Sequence, residues 1–440
     1  HLSDRRQRQM CIRDRMKKVL IITYYWPPAG GPGVQRWLKF VKYLPEFNIK
    51  PIVYCPKNPA YPTIDYSLYR DLSDELTVLK HPINEPAKIL NKFFRVKINN
   101  YSKGIIPKVN KQSLLDRLLI FIRGNFFVPD SRIFWVRPSV KYLSNYISNN
   151  HIDTIITTGP PHSTHLIGME LKSKFKLKWF SDFRDPWTEI GYHNSLKLNS
   201  IIKKKHFKLE KAVLSKSDHV IVTSNRTKTL FSDYTTSPIT VITNGFDTEI
   251  QNKINLDENF TLTHVGFLSN DRNPQILWSV LSDLVNELKG FKEKFKLVLV
   301  GDTSPEILDS INLAGLNPYL KLTGTISHLE AIKYQNQSQL LLLLEANTIA
   351  ASYIIPGKLF EYLSANRPII AIGPEFSDIQ TIILQTSTGK YFNYLEYEKL
   401  KSHILHLFSL YNEKSLKITA NNIENYSRYN CTKQLSKILD

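Results

Sequence analysis

The chain has 440 residues, of which 42% are hydrophobic and 22% are charged, and its formal charge is +19 at pH 7. These values are typical of globular proteins and exclude a largely disordered chain, and the length predicts two or three domains, of which two is the simpler division. The positive charge would attract nucleic acid, an anionic membrane surface or phosphorylated substrates, but the lysines fall in small scattered groups, which disfavours nucleic acid.

The first fifteen residues differ from the rest of the chain. Residues 1–15 contain five arginines and no apolar periodicity, whereas a strand pattern begins at Met16. We therefore expect residues 1–15 to be a non-native leader outside the fold.

Residues 16–240 are predicted to form the first domain. The β-rich run VLIITYY (residues 19–25) is followed by the loop PPAGGPG, a helical pattern from Val34, and a second strand at residues 51–55, which together make a βαβ unit. The region from about 56 to 150 is less regular and is predicted to be an insertion. Strands then resume at residues 152–159, 178–183 and 217–224, so a doubly wound sheet is expected.

One segment of that insertion combines apolar bulk with positive charge. SLLDRLLIFIRGNFFVP (residues 113–129) carries Arg117 and Arg123, a composition typical of helices that lie on an anionic membrane surface. A helix packed on its own domain is the alternative interpretation.

Residues 241–425 are predicted to form a second domain of the same α/β type. Its strands are expected in TLTHVGF, KLVLVGD, LKLTGTIS, QLLLLLEA and PIIAIG, with helices near 277–288 and in GKLFEYLSA. Residues 426–440 are predicted to form a terminal amphipathic helix with Thr432 as its N-cap.

The loops that follow these strands carry the candidate functional residues, because ligands of open α/β sheets bind at the carboxyl ends of strands. The first loop holds Gly30, Gly31 and Gly33 before a helix whose free amides could hold a phosphate or a sugar hydroxyl. Its spacing differs from the GxGxxG dinucleotide fingerprint, which argues against an NAD enzyme. The alternative is a tight turn.

Two motifs of the second domain offer cations. Arg272 lies in THVGFLSNDRNP, between a strand and a helix, where a guanidinium can form a bidentate pair with a phosphate. Lys358 and Glu361 lie three residues apart in PGKLFEYLSANRPII and so share one helix face. A solvated arginine and a plain intrahelical salt bridge are the alternatives.

A polar group follows two strands of the first domain. TTGPPHSTH and SDFRDPW supply His162, His165, Asp182, Arg184 and Asp185. We predict acceptor activation here, with Asp185 or His162 as the proton acceptor and with Asp182 and Arg184 in support. Each histidine taken alone is equally explained as a cap or packing residue.

These motifs taken together resemble a known family. The strand followed by NGFD, the pattern GxLxxxRNP and the segment PGKLFEYLSANRPIIAIG are similar to the family 4 retaining glycosyltransferases, and the similarity extends over nearly all of residues 16–440. It implies the GT-B fold: two doubly wound Rossmann-like domains that face each other across a cleft. The implied activity is transfer of a sugar, with retention of configuration, from a nucleotide diphosphate sugar to a saccharide or lipid-linked acceptor in cell-envelope or polysaccharide biosynthesis.

The resemblance also assigns site residues. Arg272 and Lys358 would hold the donor diphosphate, and Glu361 would accept hydrogen bonds from the ribose. Gly31 and Gly33 would lie against the donor, and Asn273 and Leu359 belong to the same donor-binding motifs. One departure is that Tyr353 stands where the family often has a first glutamate. The nearby Glu345 is out of register, so that role is not transferred to it.

The remaining expectations follow from what the sequence lacks. No HxH, HExxH or Asp-x-Asp pair with metal spacing occurs, so neither a metal nor a cofactor is expected beside the donor, and the enzyme is predicted to be a metal-independent hexosyltransferase. The cysteines Cys11, Cys55 and Cys431 show no paired spacing, which favours a cytoplasmic protein, with peripheral contact at the inner face of the membrane.

Two other functions compete with this one. An NAD-type or epimerase-like Rossmann enzyme is disfavoured by the missing GxGxxG and by the missing acidic residue after the second strand. A catalytically inactive nucleotide-sugar-binding protein is suggested by Tyr353.

Overall fold

The computed structural model describes residues 16–85, 114–190, 196–247 and 255–440. The expected leader, residues 1–15, and Ser113 of the basic apolar segment lie outside the described residues. The chain divides into two compact units. The first comprises the described residues up to Thr243 together with Arg428–Asp440, and the second is Asn244–Ser427.

The first unit is built on a parallel sheet. In its described part the strand order is β3-β2-β1-β4-β5-β6-β7. The strands are β1 Lys17–Ile22, β2 Ile49–Pro56, β3 Thr77–His81, β4 Thr154–Gly159, β5 Lys178–Phe183, β6 His219–Val222 and β7 Ile239–Val241. The central strand β1 sends Val19 and Ile21 into one apolar cluster and Leu20 and Ile22 into another. Because both of its faces are buried, its sequence is continuously apolar rather than alternating.

Helices cover both faces of this sheet. They are α1 Pro32–Tyr43, α2 Leu114–Phe126, α3 Ile133–Asn150, α4 Ser163–Lys174, α5 Ser200–Lys216, α6 Asn225–Ser232 and, from the end of the chain, α15 Arg428–Leu439. Helix α1 has Pro32 at its first position, where a missing N–H costs nothing. Helix α15 packs on α1, and Leu435 and Leu439 are fully buried there.

Two predictions for this unit were wrong in detail. Helix α15 begins at Arg428, so Thr432 is not an N-cap; its hydroxyl donates 2.7 Å to the Arg428 carbonyl inside the helix. The expected insertion at 56–150 contains β3, which pairs with β2, and α3, which buries Trp135 and Leu143 in the core. These elements are part of the doubly wound fold, and β3 was missed because its edge position leaves its side chains only partly buried.

The second unit repeats the architecture. In its described part the strand order is β10-β9-β8-β11-β12-β13, again all parallel. The strands are β8 Phe260–Val265, β9 Phe295–Val300, β10 Leu320–Gly324, β11 Leu340–Leu344, β12 Ile369–Ile372 and β13 Gly389–Phe392. The helices are α7 Gln275–Glu287, α8 Lys289–Lys294, α9 Pro305–Leu313, α10 His328–Gln337, α11 Ile349–Ser352, α12 Gly357–Ala365, α13 Asp378–Thr386 and α14 Tyr397–Asn412.

Each sheet has one point at which the strand order reverses. In the first unit it lies between β1 and β4, and in the second between β8 and β11. Open α/β sheets bind ligands in the crevice outside the carboxyl ends of the strands at such a point. The two sheets confirm the predicted fold class and direct attention to the loops that follow these four strands.

Candidate functional site

In the second unit, the end of β8 and the start of α12 bring a lysine against a glycine. Gly266 follows β8 with a φ of 108°, a left-handed conformation that glycine adopts without strain. A Cβ atom at this position would lie only 3.2 Å from Lys358 Nζ. Gly266 therefore both turns the chain and leaves room for the ammonium group beside the strand end.

The Lys358 ammonium has an unusual polar partner. Its Nζ lies 3.4 Å from His264 Nε2, and His264 Nδ1 lies 3.0 Å from the Leu342 carbonyl oxygen on the neighbouring strand β11. Among the described residues, Lys358 forms no ion pair with a carboxylate. Burial lowers the pKa of Lys358 to about 8, the positive charge of Arg272 acts in the same direction, and Glu345 and Glu361 oppose both.

Arg272 approaches the same place from the loop after β8. Its Nη2 lies 3.5 Å from Glu345 Oε2, and Glu345 is 2% exposed at the end of β11. Burial raises the pKa of Glu345, while Arg272 and Lys358 oppose that shift. At the carboxyl ends of β8 and β11, Arg272 thus pairs with a buried carboxylate whose charge Lys358 also favours electrostatically.

The salt bridge between Lys358 and Glu361, left open by the sequence, does not form. Glu361 Oε2 instead accepts a hydrogen bond of 2.7 Å from Gln335 Nε2. With the amides at the start of α12 nearby, the pair of cations has the composition of a site for a phosphate-bearing anion.

Two residues that the motifs assigned to donor binding, Asn273 and Leu359, have side chains that contact other parts of the fold. Asn273 donates 2.8 Å to Ser310 Oγ and accepts 2.6 Å from Trp278 Nε1, which ties α7 to α9. Leu359 is fully buried in the core of the second unit. The structure contradicts a side-chain role in donor binding for both, because neither side chain has a group left to offer.

In the first unit, Asp182 is a structural carboxylate. It is fully buried and accepts hydrogen bonds from Arg36 Nη2 at 2.9 Å, Trp37 Nε1 at 2.7 Å and Thr158 Oγ1 at 2.8 Å. Although burial alone would raise the pKa of Asp182, Arg36 and these donors hold it below its ordinary range. The prediction that Asp182 supports catalysis was wrong, since its oxygens bind α1 to β4 and β5.

Arg184 joins three backbone carbonyls rather than a substrate. Its guanidinium donates 2.7 Å to the Gly33 oxygen and 3.2 Å to the Gly159 oxygen, and also donates to the Pro160 oxygen. A Cβ atom at Gly33 would lie 2.6 Å from Arg184 Nη1, so a side chain at this position would displace the guanidinium from its present place. Arg184 therefore fixes the loops after β1 and β4.

Gly31, by contrast, is open: nothing lies within 4 Å of a Cβ atom there, and its φ is 94°.

The two histidines of the TTGPPHSTH motif pack in the interior. His162 is 3% exposed and stacks on Trp187 with ring centroids 4.7 Å apart, and His165 is fully buried and stacks on Phe183. Burial lowers the pKa of His165 to about 3, so its ring is neutral. The alternative interpretation of both as packing residues is the one the structure supports, and it contradicts His162 as an accessible base.

Asp185 is the remaining acid/base candidate. Its side chain is partly exposed, and burial raises its pKa while the neighbouring Arg184 opposes the shift. Glu210 of α5 holds the loop that carries Asp185. It accepts hydrogen bonds from the backbone N–H groups of Trp187 at 2.8 Å and Thr188 at 3.3 Å. A partly exposed carboxylate on a rigid loop at a strand end is suited to accept a proton.

Sequence reasoning missed three residues of these sites, Arg36, Glu210 and His264, and it named Glu345 without giving it a role. Arg36 and Glu210 lie on amphipathic helices, where a charged residue is usually solvent-exposed, but both are at most 5% exposed. His264 lies inside a fully buried strand, and that position was a usable signal, because a titratable ring in a buried strand requires partners.

Two properties concern the described residues as a whole. None of their helices is both long enough and apolar enough to cross a bilayer. No group of three or more His, Cys, Asp or Glu side chains in the described ranges is arranged to hold a metal ion.

Comparison with known proteins agrees with this architecture. Residues 105–250, about a third of the chain, match the family model described as Glycosyltransferase Family 4. This confirms the resemblance for the matched residues, while the motifs at 266–274 and 356–373 lie outside the match. No curated protein sequence matches the chain.

Solved structures of the same fold cover nearly the whole chain. Sucrose-phosphate synthase from Thermosynechococcus elongatus is 12% identical with a TM-score of 0.62, and the match covers 96% of this chain and 98% of that one. HepE from Anabaena, solved in complex with UDP-glucose, is 14% identical with a TM-score of 0.57, covering 96% and 99%. The lipopolysaccharide outer core galactosyltransferase WaaB is 13% identical with a TM-score of 0.58, also covering 96% and 99%. These likenesses identify the fold as GT-B.

Proposed function

We propose that this family 4 glycosyltransferase of the GT-B type moves a sugar from a nucleotide diphosphate sugar to a saccharide or lipid-linked acceptor in cell-envelope or polysaccharide biosynthesis. The observation that carries the proposal is that Arg272 and Lys358 lie close enough to repel each other at the strand ends of the second unit, where the buried Glu345 pairs with Arg272. A diphosphate supplies the negative charge that this cluster lacks.

In this proposal the second unit binds the donor. Arg272 and Lys358 bind the diphosphate, and Glu361, oriented by Gln335, accepts a hydrogen bond from the ribose through its second oxygen. Negative charge grows on the diphosphate as its bond to the sugar breaks, and fixed cations stabilise that charge. No metal and no cofactor is invoked for this step. HepE, which was solved with UDP-glucose, lends support because it shares the fold.

The first unit supplies the acceptor side. The acceptor hydroxyl forms its bond to the anomeric carbon as the bond to the diphosphate breaks, and Asp185 is the proposed acceptor of its proton. We further propose that a hexose is transferred with retention of configuration, by a front-face displacement in which the acceptor oxygen approaches on the side that the diphosphate leaves. The protein is proposed to act in the cytoplasm, with α2 in contact with an anionic membrane surface that carries a lipid-linked acceptor.

A panel of donors tests this function. Each of UDP-, GDP-, ADP- and dTDP-glucose and their common epimers is added to the protein, and the melting temperature is recorded. A ligand at about 100 times its Kd raises stability by about 2.7 kcal/mol, so the correct nucleotide produces a clear shift. If none of the nucleotide sugars stabilises the protein, the proposal is wrong.

A catalytically inactive binding protein is the second candidate, and Tyr353 in place of a family glutamate favours it. Release of the nucleotide diphosphate separates the two. An enzyme releases it when the stabilising donor is supplied with membrane lipids or oligosaccharides, whereas an inactive protein retains affinity without turnover.

A further inference from the structure

His264 is a titratable ring inside a fully buried strand. All six residues of β8 are buried, and the neighbouring β11 is five leucines. Burying a polar ring without partners is costly, so its contacts should explain its presence. The Leu342 carbonyl can only accept, and therefore His264 Nδ1 carries the hydrogen and donates to it at 3.0 Å.

This hydrogen bond determines what the other nitrogen can do. In a neutral ring protonated at Nδ1, Nε2 has a lone pair and acts as an acceptor. The group that Nε2 faces is the Lys358 ammonium, 3.4 Å away. The histidine thus links the backbone of the sheet to the cation at its edge.

The charges around the pair keep the ring neutral. The groups that act on Lys358 are Arg272, Glu345 and Glu361, and the Tyr362 hydroxyl shares the Leu342 carbonyl with His264 at 3.4 Å. Burial lowers the pKa of His264 well below its ordinary value, and Lys358 and Arg272 act in the same direction. A protonated His264 ring would carry its positive charge beside Lys358 and Arg272. Nε2 of the ring therefore keeps its lone pair through the neutral pH range.

We propose that His264 is a positioning residue for the donor diphosphate: its neutral ring accepts a hydrogen bond from Lys358 Nζ and holds that cation at the carboxyl end of β8. The inference rests on the proposed function, because it needs Lys358 to meet a diphosphate. It goes beyond that function by assigning a buried strand residue, which cannot touch the donor, to the alignment of the cation that does.

The same geometry predicts proton uptake on binding. Since the pKa of Lys358 is about 8, part of the free protein carries a neutral amine at pH 8. A bound diphosphate favours the charged form, so this amine takes up a fraction of a proton on binding at pH 8 and almost none at pH 6.5. The change in protonation of the diphosphate itself is common to the parent and the variants, so it cancels in the difference between them. Because His264 stabilises the charged amine, its removal increases the uptake at pH 8.

Five variants test the inference with inorganic pyrophosphate as the probe, titrated by calorimetry in buffers of different ionisation enthalpy: three at His264, one control, and Lys358→Ala, which tests the donor site itself. His264→Phe keeps the ring shape without the acceptor, and His264→Asn keeps the donor to Leu342 but does not reach Lys358. His264→Gln places an acceptor near the position of Nε2. The matched control is His403→Phe, which changes another buried histidine of the second unit, packed against Phe392.

We expect His264→Phe and His264→Asn to weaken pyrophosphate binding about 10-fold and to enlarge proton uptake at pH 8, because each removes a hydrogen bond to a charged group. His264→Gln should recover affinity to within about threefold of the parent, and His403→Phe should bind like the parent. Melting curves show whether each variant is folded.

The outcomes separate the inference from the function. If Lys358→Ala loses pyrophosphate while the Phe and Asn variants bind like the parent, His264 has no positioning role and the inference is overturned. Equal losses in the Gln and Phe variants overturn it as well. If Lys358→Ala itself binds pyrophosphate like the parent, the proposed donor site is in the wrong place and the inference fails with it.

Discussion

At the scale of single residues, the Lys358 ammonium is placed where a cation is costly. It lies beside Arg272, and its partner is the neutral ring of His264. In a folded protein such a charge persists when a ligand supplies the compensating anion, and perturbed lysines cluster at functional sites for this reason.

The first prediction concerns the two cations. Arg272→Ala and Lys358→Ala should each weaken binding of the nucleotide diphosphate about 10- to 100-fold, because each loses a hydrogen bond to a charged group worth about 1.5 to 3 kcal/mol. The nucleoside without phosphates should bind both variants as it binds the parent. Glu361→Gln should instead weaken nucleoside and diphosphate alike. Calorimetry against each variant measures these affinities, and parental binding in both cation variants would place the diphosphate elsewhere.

The second prediction uses two neighbouring aspartates as a matched pair. Asp185→Asn should leave the melting temperature close to that of the parent and lower kcat about 10²- to 10⁴-fold, the usual contribution of a general base. Asp182→Asn should instead destabilise the fold by about 3 to 5 kcal/mol, because Arg36 is left buried without its counter-charge. Turnover and thermal unfolding of the two variants measure both effects. A parental kcat in Asp185→Asn would remove Asp185 from the mechanism.

At the scale of elements, periodicity and turn chemistry predicted most of the strands, and they did so because central parallel strands are apolar on both faces. Strand β5 was predicted at 178–183 and is found there. The edge strand β3, with Lys80 largely exposed, gave no comparable signal. The N-cap of helix α15 was placed at Thr432 because threonine is a good N-cap in sequence, but the helix begins at Arg428 and its first turn packs with the rest of α15 on the first unit.

The site was predictable in part for a similar reason. Strand-end loops and helix starts can be located from sequence, so the positions of Arg272, Lys358 and Asp185 in the fold were predicted, while their roles stay predictions. Whether a polar side chain on such a loop points to solvent or into the fold depends on contacts distant in sequence. Asp182 meets Arg36 across 146 positions, and Asn273 meets Ser310 across 37. No local pattern carries that information.

Helix α5 provides the third prediction, which concerns stability and pH. Burial raises the pKa of Glu210 to about 7, and the hydrogen bonds from Thr188 and Trp187 only partly offset this shift. A folded-state pKa above the ordinary value means that the folded protein holds this proton more tightly than the unfolded chain does. The contribution of Glu210 to stability is therefore highest below about pH 4.5 and declines as the pH rises to about 7.

Glu210→Gln tests this contribution, because it keeps an acceptor for the Trp187 amide and cannot ionise. The variant should lose less stability than the parent between pH 5 and pH 7, as measured by urea unfolding at a series of pH values. Identical slopes for the two proteins would show that Glu210 does not titrate in this range. Glu46→Gln is a suitable control, since Glu46 is exposed in the same unit and is not among the charges that act on Glu210.

At the scale of the whole molecule, the chain combines a net charge of +19 with exposed aromatic side chains on α2 and α3. Phe126 is 73% exposed and Phe134 is 56% exposed, and Arg123 lies in the last turn of α2. The fourth prediction is that the protein floats with vesicles of anionic phospholipid at low salt and is released at high salt, because the attraction between surface charges is screened.

A double variant tests the membrane contact, and a change at a distant exposed residue is its control. Phe126→Ser with Phe134→Ser should weaken flotation without altering the melting temperature, since exposed apolar side chains contribute little to folding. Replacement of Leu384, which is 77% exposed in the second unit, should have no effect on flotation. A parent that fails to float with anionic vesicles at low salt contradicts the proposed membrane contact.

The order of the chain has a consequence for how the protein is made. The second unit lies between Thr243 and Arg428, so a ribosome completes it before the helix α15 that belongs to the first unit emerges. Until then Phe40 and Leu44 of the first unit lack Leu435 and Leu439, with which they share a cluster. A nascent chain therefore carries an unfinished apolar surface throughout synthesis of its second unit, and that surface is where we expect a chaperone to bind.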